Sequence, residues 1–450
     1  MIGRRRFFGA LSAAAGAPAQ ESRKPNLVII LADDLGYADL GFQGAHDIPT
    51  PHLDRLARGG VRFTNGFVSH PFCSPTRAGL MTGRYQQRFG HETNPVYNPA
   101  DPVSGLPTSE TTLPQLLKSA GYVTGHIGKW HLGAHPQFHP MKRGFDEMFG
   151  FLGGGHDYFK QELYGNPREY LIPHQRDGRP VQEPEYLTDA LGREAAAFVR
   201  RHKDHPFFLY LAFNAPHTPQ QVSEKHLERF ADIEDEKRRK YAAMVNAMDE
   251  AAGRALDAIR ETGNESNTLV VFLSDNGGPT AANGSSNAPL RGVKGQVYDG
   301  GIRVPFTMRW PALLAAGREY KSPVISLDIL PTLISAAGGQ LPEKPVDGVD
   351  LLPFLTGMRR DAPHERLYWR TGGGTSWAVR EGRFKLVKQG DGEPTLYDVE
   401  ADIGESKDVG PQQQTARDRL LAAYSAWNRE LIPPLFEGIR PANTKAGKKQ

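Results

Sequence analysis

Three long apolar runs, each ending in polar residues, constrain the fold of this chain more than any other feature. The run at residues 25–37 (PNLVIILADDLGY) contains two adjacent acids, and the run at residues 267–278 (NTLVVFLSDNGG) repeats that design. A third run, at residues 205–219 (HPFFLYLAFNAPHTP), ends near a histidine. Continuous hydrophobicity of this kind is typical of strands that are buried on both faces of a parallel sheet.

Helical patterns separate these strands, at residues 52–60, 112–121 and 237–263, and each of them closes with glycine. Buried strands that alternate with helices predict an α/β domain, which we assign to residues 24–361. In an open parallel sheet the ligand site lies beyond the carboxyl ends of the strands. We therefore expect the polar residues that follow the three runs to meet in one place.

The pattern changes at about residue 362. Residues 376–389 and 394–400 alternate like antiparallel strands, and residues 413–431 have a helical pattern. We therefore predict a small C-terminal α+β domain with an antiparallel sheet at residues 362–440, followed by a disordered tail at 441–450. The Gly- and Pro-rich segments 94–110 and 165–186 are predicted to be long loops around the site.

The first 19 residues have the pattern of an export signal. Three arginines at positions 4–6 precede a short apolar stretch and a small-residue cleavage pattern that ends at Ala19. This resembles a twin-arginine signal and predicts a periplasmic or secreted bacterial protein. Because the apolar stretch is too short to cross a bilayer, no membrane span is expected in the mature chain.

Removal of the signal also changes the charge of the chain. The 54 basic residues fall to 51, which equals the 51 acidic residues. A mature chain without net charge gives no reason to expect a nucleic-acid partner.

Acidic and amide side chains follow two of the buried strands: Asp33 and Asp34 come after the first, and Asp275 and Asn276 after a later one. Carboxylates that converge repel one another unless a cation lies between them. All-oxygen ligation suits a hard ion such as Ca²⁺ or Mg²⁺. Each pair alone could equally be a helix cap or a turn, but their joint placement favours a metal site.

Cationic residues lie in turns framed by glycine and proline near the same strand ends: Lys129, His131, His217 and Lys294. Together with Arg77 and a metal, they indicate a pocket for a tetrahedral oxyanion. The predicted chemistry is transfer of a sulfuryl or phosphoryl group.

Cys73 is the only cysteine, so the chain cannot form an internal disulfide. It opens the run CSPTRAGLMTGR, in which Pro75 suits the first turn of a helix and Arg77 adds a positive charge. A lone cysteine is usually a small buried hydrophobic residue, but this setting favours a chemical role.

The blocks CSPTR with AGLMTGR, ADDLG, GKWHLG, APHTP, SDNGG and RGVKG occur together in one chain. In this combination they resemble the formylglycine-dependent sulfatases of the alkaline phosphatase superfamily, over about residues 24–440. The resemblance implies a mixed, mostly parallel sheet flanked by helices, as in alkaline phosphatase. It also implies that a separate formylglycine-generating enzyme oxidises Cys73 to Cα-formylglycine, whose hydrate supplies the nucleophile.

The resemblance also implies roles for the other site residues. The metal, Ca²⁺ or Mg²⁺, would be held by Asp33, Asp34, Asp275, Asn276 and residue 73. Arg77 would hold the hydrate, and Lys129 would bind the sulfate. His131 resembles the base that releases sulfate, whereas His217 and Lys294 resemble the pair that binds the ester and protonates the leaving oxygen. His156, in a glycine-rich turn, is a weaker candidate for substrate binding.

Three departures from the usual family pattern occur: Thr76 replaces a serine, Asp299 replaces a glutamate, and residues 401–405 (ADIGE) lack a proline. The expected substrate is a sulfate ester of a carbohydrate rather than of a small phenol. Two alternatives remain open at this point. The same site could hydrolyse phosphonate monoesters or phosphodiesters, or it could bind sulfated glycans without turnover if Cys73 stays a thiol.

Overall fold

A computed structural model of the chain describes residues 23–165 and 168–438. The predicted export signal at residues 1–19 and the predicted tail at 441–450 lie outside these residues. The described part contains no helix that combines the length and the apolar character needed to cross a bilayer.

The strands are β1 Asn26–Ala32, β2 Val61–Phe63, β3 Gly66–Phe67, β4 Val123–Lys129, β5 Glu147–Phe151, β6 His174–Arg176, β7 Arg179–Val181, β8 Phe207–Ala212, β9 Thr268–Ser274, β10 Phe306–Arg309, β11 Arg318–Tyr320, β12 Val324–Ile325, β13 Arg366–Thr371, β14 Ser376–Glu381, β15 Phe384–Lys388 and β16 Thr395–Asp398. The α-helices are α1 Pro51–Arg58, α2 Cys73–Thr82, α3 Leu113–Ser119, α4 Leu187–Arg201, α5 Glu224–Leu227, α6 Glu236–Glu261, α7 Thr280–Asn283, α8 Asp299–Ile302, α9 Ile329–Ala336, α10 Leu352–Leu355 and α11 Gln414–Asn428.

Ten strands form the main sheet, in the order β11-β2-β10-β9-β1-β8-β4-β5-β6-β7. The five central strands from β9 to β5 run parallel, and β10 and β6 flank them in the antiparallel sense. The three apolar runs are the adjacent strands β9, β1 and β8, so their carboxyl ends meet at one edge. The predicted mixed, mostly parallel sheet is confirmed.

Side chains that alternate along β1 enter two different cores. Leu27, Ile29 and Leu31 pack in the core that also receives α2, α3 and α9. Val28 and Ile30 pack in the core formed with α4 and α6 on the opposite face. A strand buried on both faces needs apolar residues at every position, which explains the unbroken run in the sequence.

Strands β13 to β16 form a separate antiparallel sheet, and α11 packs against β14 and β15. The predicted small antiparallel sheet is therefore confirmed. Trp369, Val379 and Tyr424 of this part belong to the same hydrophobic core as α2 and α9. The small sheet is thus packed directly onto the part of the main domain that carries α2.

Of the two segments that were predicted to be loops, one contains strands and the other does not. Residues 94–110 contain no helix or strand, as expected. The segment 165–186, predicted as a loop, includes the β6–β7 hairpin, which extends the main sheet. Strands as short as these carry too few residues for a periodic pattern to be recognised in the sequence.

Candidate active site

The carboxyl ends of three parallel strands deliver the central residues of the site. Asp33 and Asp34 follow β1, Asp275 and Asn276 follow β9, and Lys129 is the last residue of β4. All five are fully or almost fully buried, although each carries a polar or charged side chain. Buried charges need partners, so their surroundings decide what the site can do.

Three carboxylates pair with three cations in this cluster. Lys129 Nζ contacts Asp33 Oδ2 at a short distance, and Lys294 Nζ lies 2.6 Å from Asp34 Oδ1. Arg77 donates to Asp275 Oδ2 from Nε at 3.0 Å and from Nη2 at 2.8 Å. Burial alone would lower the pKa of Lys129, but the negative groups around it, Asp33 foremost, together outweigh that effect and raise the pKa. Lys129 therefore keeps its positive charge although it is buried.

Cys73 is the first residue of α2 and is almost completely buried. Its Sγ lies 3.4 Å from Asp33 Oδ1 and 4.0 Å from Asp34 Oδ1. A helix N-terminus favours a thiolate. Here, however, burial raises the pKa of the thiol, and the charges of Asp275 and Asp33 raise it further. An unmodified Cys73 is consequently a poor nucleophile in this setting.

His131 and Asp34 both have left-handed backbone conformations, with φ of 59° and 63°. This region is unfavourable for residues other than glycine, and such strain is concentrated at functional sites. The Ser74 hydroxyl donates to the His131 carbonyl oxygen at 2.5 Å and lies 2.6 Å from His91 Nε2, which helps to fix this backbone. Both ring nitrogens of His131 are buried without a hydrogen-bond partner.

His217 approaches the cluster from the segment after β8. Its Nδ1 lies 2.6 Å from the Thr218 carbonyl oxygen, and its Nε2 lies 3.6 Å from Asp34 Oδ2. Burial lowers the pKa of His217 to about 3, against the opposing charge of Asp34. Lys294, on the other side of Asp34, has a pKa well above its ordinary value because the carboxylate more than offsets the cost of burial.

His156 does not join this cluster, although a substrate contact was predicted for it. Its Nδ1 lies 2.5 Å from the Asp157 carbonyl oxygen, and its Nε2 lies 2.7 Å from that of Ile172. The ring is fully buried and packs 4.2 Å from the ring of His174. With both nitrogens facing backbone carbonyls, the arrangement favours a structural role for His156 in the turn.

The chain is similar in sequence and fold to known proteins. A family model described as Sulfatase matches residues 25–339. The chain belongs to the sulfatase family. A second model, described as N-sulphoglucosamine sulphohydrolase, C-terminal, matches residues 293–422 of this sulfatase. The predicted family membership is confirmed.

Two relatives are similar over most of their length. N-acetylgalactosamine-6-sulfatase of Mus musculus is 38% identical over 396 residues, which cover 83% of this chain and 72% of the relative. A solved structure, described as Ps i-CgsB in complex with k-i-k-neocarrahexaose, has a TM-score of 0.87 and 39% identity. That match covers 92% of this chain and 94% of the other. The sulfatase is accordingly a sulfuric ester hydrolase, as predicted.

The described residues fit a hard divalent cation. Side-chain atoms of Asp33, Asp34, Cys73 and His217 lie within 4.8 Å of one another. The side-chain oxygen of Asn276 is buried without a hydrogen-bond partner, while its Nδ2 donates to Asp34 Oδ1 at 2.7 Å. Carboxylate and amide oxygens are the donors that Ca²⁺ and Mg²⁺ prefer, and an unpartnered buried oxygen is costly unless something binds it.

Sequence reasoning missed a second group of residues that supports the site. Lys385 Nζ lies 2.6 Å from Asp299 Oδ1 and 2.9 Å from Glu405 Oε1, and all three side chains are fully buried. Asp299 begins α8, directly after the segment that carries Lys294, and its amide donates to Glu405 Oε2 at 2.7 Å. The small sheet thus holds the Lys294 segment through buried ion pairs. The unusual aspartate at 299 was the only sign of this in the sequence.

Proposed function

We propose that this sulfatase hydrolyses a sulfate ester of a carbohydrate to the alcohol and inorganic sulfate, with a formylglycine made from Cys73 and a divalent cation. The observation that carries the proposal is the position of Cys73 Sγ, 3.4 Å from Asp33 Oδ1 and inside a cluster of three carboxylates and three cations. A sole cysteine in such a place is poorly suited to act as a thiol, because burial raises its pKa.

The carbohydrate class is supported by the relatives. One of them is named for N-acetylgalactosamine 6-sulfate, and the solved relative was crystallised with k-i-k-neocarrahexaose. Both cover most of this chain at 38% and 39% identity. We also propose export to the periplasm or the medium and a transient encounter with a formylglycine-generating enzyme, since the chemistry needs that modification.

Under this proposal, the cation would be held by Asp33, Asp34, Asp275, Asn276 and residue 73. When bound, it would supply positive charge that lowers the pKa of an oxygen nucleophile and stabilises the ester oxygens. The formylglycine hydrate would supply the nucleophile and a second hydroxyl, which lets the enzyme release sulfate without a second external attack.

Side chains of the protein bind the sulfate and transfer the protons. Lys129 and Lys294 present ammonium groups to the sulfate oxygens, where they stabilise developing negative charge. Arg77 fixes the Asp275 carboxylate, which is placed to accept a proton from the nucleophile. We assign protonation of the departing alcohol to the pair of His217 and Lys294, in which Lys294 holds the proton because burial leaves His217 neutral, and we assign the release of sulfate to His131 as base.

Intact-mass analysis and matched activity assays test this proposal. Conversion of Cys73 to formylglycine lightens the chain by about 18 Da, and modified protein is expected to release sulfate from sulfated saccharides. Cys73→Ala should abolish turnover. Parallel assays with 4-nitrophenyl sulfate and a 4-nitrophenyl phosphodiester separate the two hydrolase classes. A higher kcat/KM for the phosphodiester, or an unmodified cysteine in protein from the native host, would contradict the proposal.

A further inference from the structure

A turn of three glycines brings a loop against the two site histidines. An ideal Cβ placed on Gly154 would lie 2.7 Å from His131 Nε2 and 3.2 Å from Glu169 Oε1. One placed on Gly155 would lie 2.5 Å from Tyr170 Cε1 and 3.3 Å from His217 Cε1. Only glycine permits such close approach. Glu169 and Tyr170 therefore border the same space as the histidines, although no motif contains them.

The Glu169 carboxylate lies on the His131 side of this space. It is only partly buried, and it is close enough to Lys129 for that positive charge to act on it. Burial raises the pKa of Glu169, whereas Lys129 and the backbone amide of Gly154 oppose the rise. Glu169 lies near Lys129, the ammonium group that is proposed to bind sulfate. The Glu169 carboxylate cannot bind the sulfate itself, because two anions repel each other. Its chemistry suits a neighbouring hydroxyl group, which can donate to it.

Tyr170 lies on the His217 side. Its ring is nearly parallel to that of His217, at 25°, with the ring centroids 6.4 Å apart. Tyr170 is 40% exposed. Its carbonyl oxygen accepts a hydrogen bond from the Asp157 amide at 2.8 Å, which connects the loop to the glycine turn. An aromatic face that is partly exposed and fixed beside a polar site is suited to pack on the apolar face of a sugar ring.

On the basis of the proposed function, we infer that Glu169 and Tyr170 bind the sugar ring that carries the scissile sulfate. Glu169 accepts a hydrogen bond from a free hydroxyl next to the sulfated carbon, and Tyr170 packs against the ring. The same carboxylate repels a second sulfate at that hydroxyl position. The preferred substrate is thus a saccharide that carries one sulfate beside a free hydroxyl.

Glu169→Gln tests the carboxylate, because glutamine keeps an acceptor for the Gly154 amide and removes the charge. With the monosulfated saccharide that the wild type hydrolyses fastest, kcat/KM is expected to fall about tenfold, as for a lost charged hydrogen bond. With 4-nitrophenyl sulfate, which has no hydroxyl, it should change by less than about twofold. Discrimination against the same saccharide with a second, adjacent sulfate should decrease. Glu162→Gln, an exposed carboxylate on the same loop, is the matched control.

Tyr170→Ala tests the packing of the tyrosine ring against the sugar ring. We expect KM for the saccharide to rise about tenfold with kcat nearly unchanged, and Tyr170→Phe to behave like the wild type, because packing against the ring needs no hydroxyl. Tyr164→Ala, which alters an 83% exposed side chain of the same loop, should have no effect.

The outcomes separate this inference from the proposed function. If the wild type hydrolyses no saccharide sulfate, the proposed function fails and this inference fails with it. If the wild type hydrolyses saccharides but Glu169→Gln changes saccharide and aryl sulfate rates equally, or changes neither, only the inference is overturned. An unchanged preference against the doubly sulfated saccharide would also overturn it.

Discussion

Arg77 donates two hydrogen bonds to one oxygen of Asp275, and neither side chain reaches solvent. The same guanidinium lies 3.6 Å from Asp33 and donates to the Lys129 carbonyl oxygen at 2.9 Å. One side chain thus joins the ends of β9, β1 and β4. The pairing holds the predicted acceptor of the nucleophile's proton in place.

Arg77→Ala is expected to destabilise the protein by about 3–5 kcal/mol, because it leaves a buried carboxylate without its partner. Activity should be lost as well. Urea denaturation measures the first effect, and sulfate release measures the second. Arg55→Ala removes an exposed pair with Asp257 and should cost less than about 1 kcal/mol. Equal losses in the two variants would contradict this account of the Arg77 pair.

His131→Ala should separate release of the alcohol from release of sulfate. Without the base, the first half of the reaction proceeds, so 4-nitrophenyl sulfate is expected to give a burst of about one equivalent of 4-nitrophenol. Sulfate should then appear much more slowly than in the wild type. His135→Ala, in the same loop, is the control. Steady formation of both products in equal amounts by the His131 variant would show that the assigned role is wrong.

Removal of divalent cations should abolish activity while leaving the protein folded. The carboxylates that would bind the cation already contact Lys129 and Lys294, which limits their repulsion. A ligand at 100 times its Kd contributes only about 2.7 kcal/mol, so EDTA should lower the Tm by a few degrees. Calorimetry with Ca²⁺ or Mg²⁺ added back identifies the better ion. Full activity after exhaustive chelation would contradict the metal assignment.

The buried pair of His364 and Asp328 predicts a pH-dependent stability that is independent of the active site. His364 Nε2 lies 2.8 Å from Asp328 Oδ1. Burial disfavours the charged ring, but Asp328 more than offsets this and raises the pKa of His364. Its contribution is therefore complete below about pH 6.5 and is lost as pH rises through the raised value.

His364→Asn should consequently cost most below about pH 6.5 and progressively less at higher pH. Urea denaturation of both proteins between pH 6 and 9 measures this difference. His205→Asn, at an exposed position, is the control. A cost for His364→Asn that does not vary with pH would mean that the pair does not act through the charge of the histidine.

The convergence of the central side chains could be predicted from the sequence, for a physical reason. Asp33 and Asp275 follow strands that pair in parallel register, so their convergence follows from the apolar runs alone. Glu169 and Tyr170 were missed because their loop has no periodicity and its path depends on contacts with Gly154 and Gly155. His156 was predicted from the position of its glycine-rich turn in the family resemblance, whereas its backbone carbonyl partners depend on the fold of the turn.

The contacts of Lys385 with Asp299 and Glu405 have a consequence for biosynthesis. Every proposed catalytic side chain precedes residue 300, whereas Lys385 and Glu405 are translated 86 and 106 residues after Asp299. A nascent chain that ends before β13 would contain every proposed catalytic side chain. It would lack the contacts of Lys385 and Glu405 with Asp299, which position the segment that carries Lys294. The position of the Lys294 segment therefore depends on residues that are synthesised after every proposed catalytic side chain.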